Sequence, residues 1–196
     1  MKKTNLFFCV AAFTAALAID TGAPAPAFSL KDMNGKIHNL ADYRGKLVVL
    51  EWVNYDCPFV KKHYGSGNMQ SLQRKYTAKG VVWLSINSSA AGKQGNYAPA
   101  EWKKLSAERQ VASSAILLDS DGVTGKAYAA KTTPHMYIID QQGKLRYQGA
   151  IDSVPSKDAA DIAGAQNYVT AALDELLAGK AVSIKDSKAY GCSVKY

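Results

Sequence analysis

Cys57 is the residue of this chain whose surroundings best suit chemistry. It follows the apolar run 47–53, which predicts a buried strand, and it precedes Pro58, which fits the first turn of a helix. At a helix start, unpaired N–H groups and the helix dipole favour negative charge, and Lys61 and Lys62 add positive potential one turn later. Such surroundings lower a thiol pKa from ~8.5 to roughly 3.5–7.5. The pattern predicts a nucleophilic thiolate at Cys57, with a purely structural cysteine as the alternative.

Cys192 is the natural candidate for a second reacting thiol. It follows Gly191 in the C-terminal tail, residues 179–196, where a glycine makes the backbone flexible. Three interpretations stay open: a reversible pair with Cys57, which we favour, a permanent disulfide with Cys57, and a resolving bond to a second subunit. Sequence separation alone does not decide among them.

Alternating strands and helices must position these residues. Residues 19–27 read as an extended lead-in, and Asn34-Gly35 predicts a turn between two short strands. These two short strands are predicted at 27–30 and 36–40, and further strands at 47–53, 81–86, 116–119, 136–140 and 145–148. Helices are predicted at 58–76 (loosened at Gly65 and Gly67), 99–110, 123–130 and 163–178. This order indicates one α/β domain, residues 28–178, with a central sheet covered on both faces.

The segment 47–60 with Cys57-Pro58 resembles the active-site segment of the thioredoxin superfamily, and more narrowly the redoxin branch of alkyl hydroperoxide reductase and thiol-specific antioxidant proteins. The lead-in 28–46 is similar to the first strand pair and Gly-Lys connector of that branch, and Thr133-Pro134 followed by 136–140 resembles its cis-proline loop and strand. The resemblance implies a thioredoxin-like fold with a mixed sheet and an N-terminal hairpin of the redoxin type. It also implies that Pro134 is cis and that the Thr133 backbone can pair with a partner.

The chain departs from the family pattern at three places. Val60 stands where thioredoxins have the second cysteine of Cys-x-x-Cys, so a local dithiol is absent. Asn54 stands where peroxiredoxins carry Thr or Ser, and His135 follows Thr133-Pro134 where they have an Arg before the next strand. Copper-delivery relatives keep two close cysteines and a distal His, so we expect no metal site here, although Cys57, Cys192, His63 and His135 could in principle form one.

We therefore expect an exported thiol oxidoreductase in which the Cys57 thiolate attacks a disulfide or a peroxide. The remaining site residues are predicted to shape the active site, bind the partner or tune the thiolate: Asn54, Tyr55, Pro58, Phe59, Lys61, Thr133, Pro134 and His135. Tyr55 and Phe59 would rim a partner groove or shield the sulfur, His63 would be exposed, and Cys192 or an external thiol would resolve the intermediate. The alternatives are a peroxiredoxin-like peroxidase, and a non-catalytic binding or metal-carrying module with a structural disulfide.

The first 18 residues read as a secretory signal peptide. A basic start at Lys2-Lys3 precedes an apolar stretch at 6–17 and a small-x-small cleavage site at Ala16-Leu17-Ala18. The stretch is shorter than the ~20 residues of a membrane-spanning helix, and it contains the third cysteine, Cys9. Cleavage would leave a periplasmic or secreted protein in an oxidising compartment, with no membrane span.

Composition sets the remaining expectations. A chain of 196 residues with 47% hydrophobic and 20% charged residues is typical of a globular protein. Its net charge of +8 becomes +6 without Lys2 and Lys3, and its basic residues are scattered, so we expect no nucleic-acid partner. We expect no organic cofactor, and a partner that is either a thiol or disulfide protein or a small peroxide. The oligomeric state stays open.

Overall fold

The computed structural model describes residues 19–196, so the expected signal peptide and Cys9 lie outside the described residues. The strands are β1 (Ser29–Asp32), β2 (Ile37–Asn39), β3 (Val48–Trp52), β4 (Val82–Asn87), β5 (Ala115–Leu118), β6 (Thr132–Thr133), β7 (His135–Ile139), β8 (Leu145–Gly149) and β9 (Cys192–Ser193). The α-helices are α1 (Pro58–Gly65), α2 (Asn68–Thr77), α3 (Pro99–Glu108), α4 (Val123–Ala127) and α5 (Tyr168–Leu177). Short 3-10 turns lie at Leu40–Tyr43 and Ala159–Ile162.

Within residues 19–196, seven strands form one mixed sheet in the order β2-β1-β5-β4-β3-β7-β8. The central strands β3, β4 and β5 are parallel to one another, while β1, β2, β7 and β8 pair antiparallel with their neighbours. This arrangement confirms the predicted mixed sheet and its N-terminal hairpin. Helices cover both faces, as the alternating pattern of elements requires.

The strand β3 divides the core because its side chains alternate between the two faces. Val48, Leu50 and Trp52 pack into a cluster on one face, and Val49 and Val53 pack on the other, beneath α1, α2 and α5. All five side chains are at most 1% exposed. The strand is therefore rigidly held, and the loop that leaves its carboxyl end has a fixed origin.

The helical region after β3 is interrupted, as its glycines predict. Gly67 has a φ of +76°, in the left-handed region that favours glycine, and it separates α1 from α2. The last helix begins later than predicted, at Tyr168 instead of residue 163. Its N-cap is Asn167, whose Oδ1 accepts a hydrogen bond from the Thr170 N–H at 2.8 Å, and the preceding residues form the second 3-10 turn.

The C-terminal tail is bound along the domain. The Ser187 N–H donates to the Gln148 carbonyl at 3.0 Å, so the tail first follows β8. It then forms β9 against β6, and the Ala90 N–H donates to the Lys195 carbonyl at 2.7 Å. The tail therefore crosses the surface from β8 to the loop after β4. In residues 19–196, no helix combines the length and the apolar character needed to cross a membrane.

Candidate active site

Cys57 lies where the chain passes from β3 into α1. It is the N-cap residue of the helix, with φ −68° and ψ 126°, and Pro58 occupies the first turn. The Cys57 N–H donates to the Asn54 carbonyl at 3.0 Å, which closes a turn directly before the sulfur. The predicted placement at a helix start is confirmed, but Cys57 is 0% exposed. The sulfur is therefore covered by other residues.

Hydrogen-bonding groups surround the Cys57 sulfur. Its thiol donates to the Thr133 carbonyl, with 3.0 Å between Sγ and O. Burial raises the pKa of Cys57, but hydrogen bonds from the Cys192 thiol, the backbone N–H groups of Val60 and Cys192, and the Thr133 hydroxyl outweigh burial and lower the pKa below its ordinary value. Val60, which replaces a second local cysteine, thus contributes its backbone at the helix start.

Lys61 and Lys62, which were expected to favour the Cys57 thiolate, lie in different surroundings. Lys62 is 4% exposed, and its Nζ donates to the Val154 carbonyl at 3.2 Å and lies 3.8 Å from Asp152 Oδ2. Its ammonium is therefore neutralised by a carboxylate. Lys61 is exposed and borders an open groove next to α1. A contribution of Lys61 to the site stays a prediction.

Cys192 lies beside Cys57 because β9 pairs with β6. The antiparallel register places Cys192 opposite Thr133 and Ser193 opposite Thr132. Burial and hydrogen bonding to Cys57 raise the pKa of Cys192 to about 11, and both cysteines are free thiols. The pair thus combines a thiol of lowered pKa, Cys57, with a thiol of raised pKa, Cys192.

Gly191 lets the tail approach this closely. Its φ is +143°, and a Cβ at this position would overlap the Thr133 carbonyl oxygen and carbon. Gly191 was expected to make the tail flexible, whereas in the structure it permits a close approach of two backbones. The same carbonyl accepts the Cys57 thiol, so Gly191, Thr133 and Cys57 meet at one oxygen atom.

The peptide bond between Thr133 and Pro134 is cis, as the resemblance implied. Thr133 is 3% exposed, and its backbone is already paired with the chain's own Cys192. The predicted partner position is therefore occupied by the tail in this structure.

Asn54 and Tyr55 contact the protein interior. Asn54 Oδ1 accepts from the Asp56 N–H at 2.9 Å, and its Nδ2 donates to the Gln94 carbonyl at 3.2 Å, so its amide shapes the loop before Cys57. A direct contact of Asn54 with substrate stays a prediction. Tyr55 is 1% exposed and packs against Tyr64 with ring centroids 5.1 Å apart. Tyr55 therefore does not rim a surface groove, and this expectation was wrong because its ring belongs to the core under α1.

Phe59 is half-buried and lies at the site's edge. Its ring meets the Tyr190 ring of the tail edge-on, with centroids 5.8 Å apart. Phe59 thus contacts the chain's own tail at the place where a partner was predicted.

His63 and His135 are both buried. His63 was expected to be exposed but is 0% exposed, and burial lowers its pKa to about 4 despite the nearby Asp152 carboxylate. Burial likewise lowers the pKa of His135 to about 4, and its Nδ1 lies 3.1 Å from the Tyr137 hydroxyl and 3.3 Å from the Lys131 nitrogen. Tuning of the thiolate by His135 stays a prediction.

A buried polar cluster next to the tail was not predicted from the sequence; it consists of Asp152, Tyr190, Lys62 and His63. Asp152 is 2% exposed, and its Oδ1 accepts a hydrogen bond from the Tyr190 hydroxyl at 2.5 Å. Its Oδ2 lies 3.8 Å from both Lys62 Nζ and His63 Nε2. The only signal in the sequence was an acidic residue after the apolar pair Ala150-Ile151 that follows β8, and such a residue is ordinary by itself.

Glu51 was also missed. It is a carboxylic acid in the middle of β3 and is 0% exposed, with hydrogen bonds from the Trp83 indole at 2.8 Å and the Tyr64 hydroxyl at 2.8 Å. Burial raises the pKa of Glu51 although these donors act against it. An acidic residue inside an apolar strand run is a signal that could have indicated buried partners.

The described side chains offer no evident cation site. Among residues 19–196, no group of three or more His, Cys, Asp or Glu side chains is arranged to hold a metal ion.

Comparison with known proteins places this geometry in a family. Residues 21–148 match the AhpC/TSA family. The chain is 30% identical over 134 residues to the thiol-disulfide oxidoreductase ResA of Geobacillus thermodenitrificans, which covers 68% of this chain and 71% of that protein.

Solved structures agree with this assignment. The fold is similar to that of an uncharacterized conserved protein from Geobacillus kaustophilus, with a TM-score of 0.77 and 30% identity over 90% of this chain and 92% of the other. It is also similar to a putative thiol:disulfide interchange protein DsbE from Chlorobium tepidum, with a TM-score of 0.53 and 28% identity over 67% of this chain and 85% of the other. The predicted thioredoxin-like fold is thereby confirmed. Because the family model matches residues 21–148, well over half of the chain, and the fold is thioredoxin-like, the chain belongs to the AhpC/TSA family of thioredoxin-like redoxin enzymes.

Proposed function

We propose that this protein is a thiol-disulfide oxidoreductase that uses Cys57 and Cys192 as its redox pair. The observation that carries the proposal is the position of Cys192, opposite Thr133, whose carbonyl lies 3.0 Å from the Cys57 sulfur. The two thiols thus meet at the start of α1, and their pKa values are shifted in opposite directions. The similarity to proteins named as thiol-disulfide oxidoreductases supports the same chemistry.

The reaction begins when the Cys57 thiolate attacks one sulfur of a partner disulfide. A Cys57–partner bond forms, the partner's S–S bond breaks, and the first partner sulfur leaves as a thiolate that takes up a proton. Cys192 then loses its proton and attacks Cys57 Sγ. The products are a Cys57–Cys192 disulfide and a second partner thiol, so the partner gains two electrons and two protons that the enzyme dithiol has lost. An external dithiol returns the enzyme to its reduced state, and the reverse sequence oxidises a partner.

The different pKa values suit these roles. A thiol of lowered pKa is the better first nucleophile and the better leaving group, because the thiolate is the reacting species. Cys192, with a pKa of about 11, stays protonated until Cys57 enters the mixed disulfide. At that point the negative charge on Cys57, which contributes to the raised pKa of Cys192, is gone.

We place this activity in the bacterial cell envelope, on the strength of the signal-peptide pattern in residues 1–18. In that compartment disulfides persist, so substrates for exchange are present. The proposed partner is a protein or peptide that carries a disulfide or a dithiol.

Intact mass after reaction with a disulfide-bonded peptide tests the function. The reduced protein should lose two hydrogens and release the reduced peptide, Cys192→Ala should accumulate a mixed disulfide, and Cys57→Ser should stay unmodified. Absence of any Cys57-dependent product would contradict the proposal. A parallel reaction with one equivalent of hydrogen peroxide tests the peroxidase alternative: a faster Cys57-dependent loss of two hydrogens than with the peptide would favour it.

A further inference from the structure

Tyr190 joins the C-terminal tail to the helix that carries Cys57. Its ring meets Phe59 edge-on, and the Lys62 ammonium lies 5.9 Å from the ring centroid. Its hydroxyl lies 3.4 Å from His63 Nε2. Phe59, Lys62 and His63 all belong to α1, which begins directly after Cys57. Tyr190 therefore contacts the same rigid element as the nucleophile, two residues before Cys192.

The hydroxyl of Tyr190 is held by a buried charge. It donates to Asp152 Oδ1 at 2.5 Å, and a hydrogen bond to an ionised acceptor is stronger than one between neutral groups. Asp152 is 2% exposed, and in the described part of the chain its other oxygen, Oδ2, receives no hydrogen bond. Asp152 Oδ1 also accepts a hydrogen bond from the Val154 N–H at 3.1 Å, so this buried carboxylate would lose one of its two hydrogen-bond donors if Tyr190 left. The contact therefore resists opening.

Backbone pairing of β9 with β6 places Cys192 opposite Thr133, and Tyr190 adds the contact that holds this part of the tail against α1. On the far side of Cys192, the chain is fixed by the Tyr196 hydroxyl, which donates to the Ala130 carbonyl at 2.8 Å. On the near side, the segment 187–191 borders a cavity of about 450 Å³ that also reaches Asp152 and Tyr168. The cavity leaves one side of segment 187–191 unpacked. Tyr190 is the residue of this segment that contacts α1, through Phe59, Lys62 and His63.

The tail also covers the nucleophile. Cys57 is 0% exposed although it is the proposed attacking group, and Cys192 lies against it. An external sulfur can reach Cys57 only after the tail moves. A residue that holds the tail in place therefore favours reaction with Cys192 and opposes reaction with outside molecules.

From these contacts we propose that Tyr190 is a positioning residue, which holds Cys192 on Cys57 through its hydrogen bond to Asp152 and so sets the balance between the internal disulfide and external attack. The proposal rests on the proposed function, in that it assigns Cys192 as the internal partner of Cys57. Tyr190 acts through the tail, because its contacts join the tail to α1 and Asp152.

Tyr190→Phe in the full chain tests the proposal because it removes only the hydroxyl. The first readout is the effective concentration of Cys192, from the equilibrium of the Cys57–Cys192 disulfide with a glutathione buffer. The second readout is the rate at which iodoacetamide alkylates Cys57 in the reduced protein, measured by peptide mass. The rate is taken at high pH, where it no longer depends on pH and reports access to the sulfur. We expect the effective concentration to fall about tenfold or more and alkylation to become faster, consistent with the loss of a charge-assisted hydrogen bond.

Tyr43→Phe is the matched control. It also removes a tyrosine hydroxyl with a hydrogen-bonding partner, His38, but in the N-terminal hairpin region. Both readouts should match the unmodified protein, and thermal unfolding of both variants checks the fold. An effective concentration in Tyr190→Phe equal to that of the control overturns the assignment. If no variant forms the internal disulfide, the proposed function fails instead, and the alkylation rate then decides alone whether Tyr190 holds the tail over Cys57.

Discussion

Thr133 presents two groups to Cys57: its carbonyl oxygen, 3.0 Å from Sγ, and its side-chain hydroxyl. The carbonyl accepts a hydrogen bond only from the neutral thiol, whereas the hydroxyl can donate to the thiolate. Among residues 19–196 this hydroxyl has no other hydrogen-bond partner. Ionisation of Cys57 therefore exchanges one contact with Thr133 for another.

Thr133→Val should raise the pKa of Cys57, because the thiolate loses a donor while the carbonyl contact of the neutral thiol remains. The midpoint of the pH dependence of iodoacetamide alkylation measures this change. At a pH where Cys57 is a neutral thiol, the free energy of unfolding should stay equal or rise by about 1 kcal/mol, since the buried Thr133 hydroxyl then has no hydrogen-bond partner. Thr132→Val, whose hydroxyl donates to the Pro134 carbonyl at 2.9 Å, serves as the neighbouring control and should leave the alkylation midpoint unchanged.

Cys192→Ala should also raise the pKa of Cys57, because the Cys57 thiolate loses the hydrogen bond from the Cys192 thiol. In the unmodified reduced protein, the two thiols should titrate separately, Cys57 below the ordinary range and Cys192 at about 11. Absorbance of thiolates near 240 nm as a function of pH measures both steps. A single step for two thiols at an ordinary thiol pKa would show that they do not interact.

Gly191→Ala should displace the tail from Thr133, because the added Cβ overlaps a backbone carbonyl that is fixed by the fold. We expect the Cys57–Cys192 disulfide to form about tenfold more slowly, as the two thiols lose their alignment. Stopped-flow oxidation followed by mass measurement gives the rate.

Gly179→Ala is the matched control for this substitution. Gly179 also has a positive φ, +71°, and lies in the same tail, but its Cβ would meet no atom within 4 Å. Both variants carry backbone strain, and only Gly191→Ala adds the overlap. Equal rates in the two variants would mean that the close approach at Thr133 is not needed for disulfide formation.

Glu51→Gln should stabilise the protein at neutral pH. Burial raises the pKa of Glu51 in the folded state, so as pH rises the unfolded chain loses this proton first. Between the two pKa values the folded state binds more protons, and stability falls with rising pH. An amide of the same shape keeps one oxygen for the Trp83 and Ser85 donors, so this fall should vanish.

Urea unfolding of Glu51→Gln and the unmodified protein between pH 4 and 8 measures this effect. The two curves should converge at low pH, where Glu51 is neutral, and diverge as pH increases. A variant less stable than the parent at pH 8 would mean that the ionised carboxylate is favoured by its donors despite burial.

Local signals explain why much of the fold could be predicted from the sequence. The turn at Asn34-Gly35, the apolar strand before Cys57 and the interruption at Gly67 each depend on neighbouring residues, and all three are present. The start of the last helix was wrong because the pattern around 163 is equally compatible with a 3-10 turn. Only the side chain of Asn167 fixes the helix start.

The candidate site was predictable only where chemistry is local. Cys57 and the Thr133-Pro134 loop were identified from short segments, but Tyr190 and Asp152 are 38 residues apart and their contact depends on the path of the tail. Lys62 and His63 look like ordinary exposed helix residues, because nothing near them in sequence shows that a second layer of chain covers this face of α1. Long-range contacts of loops leave no periodic pattern to read.

The meeting of Cys57 with Cys192 has a thermodynamic consequence for the whole chain. A bond between them would close a loop of roughly 135 residues, which includes every α-helix and five of the nine strands described in residues 19–196. In the chain-entropy estimate, a cross-link of that span restricts the denatured ensemble enough to raise the unfolding free energy by about 5 kcal/mol. The melting temperature of this protein would then depend on its oxidation state, and the oxidised form would stay folded at temperatures that unfold the reduced form.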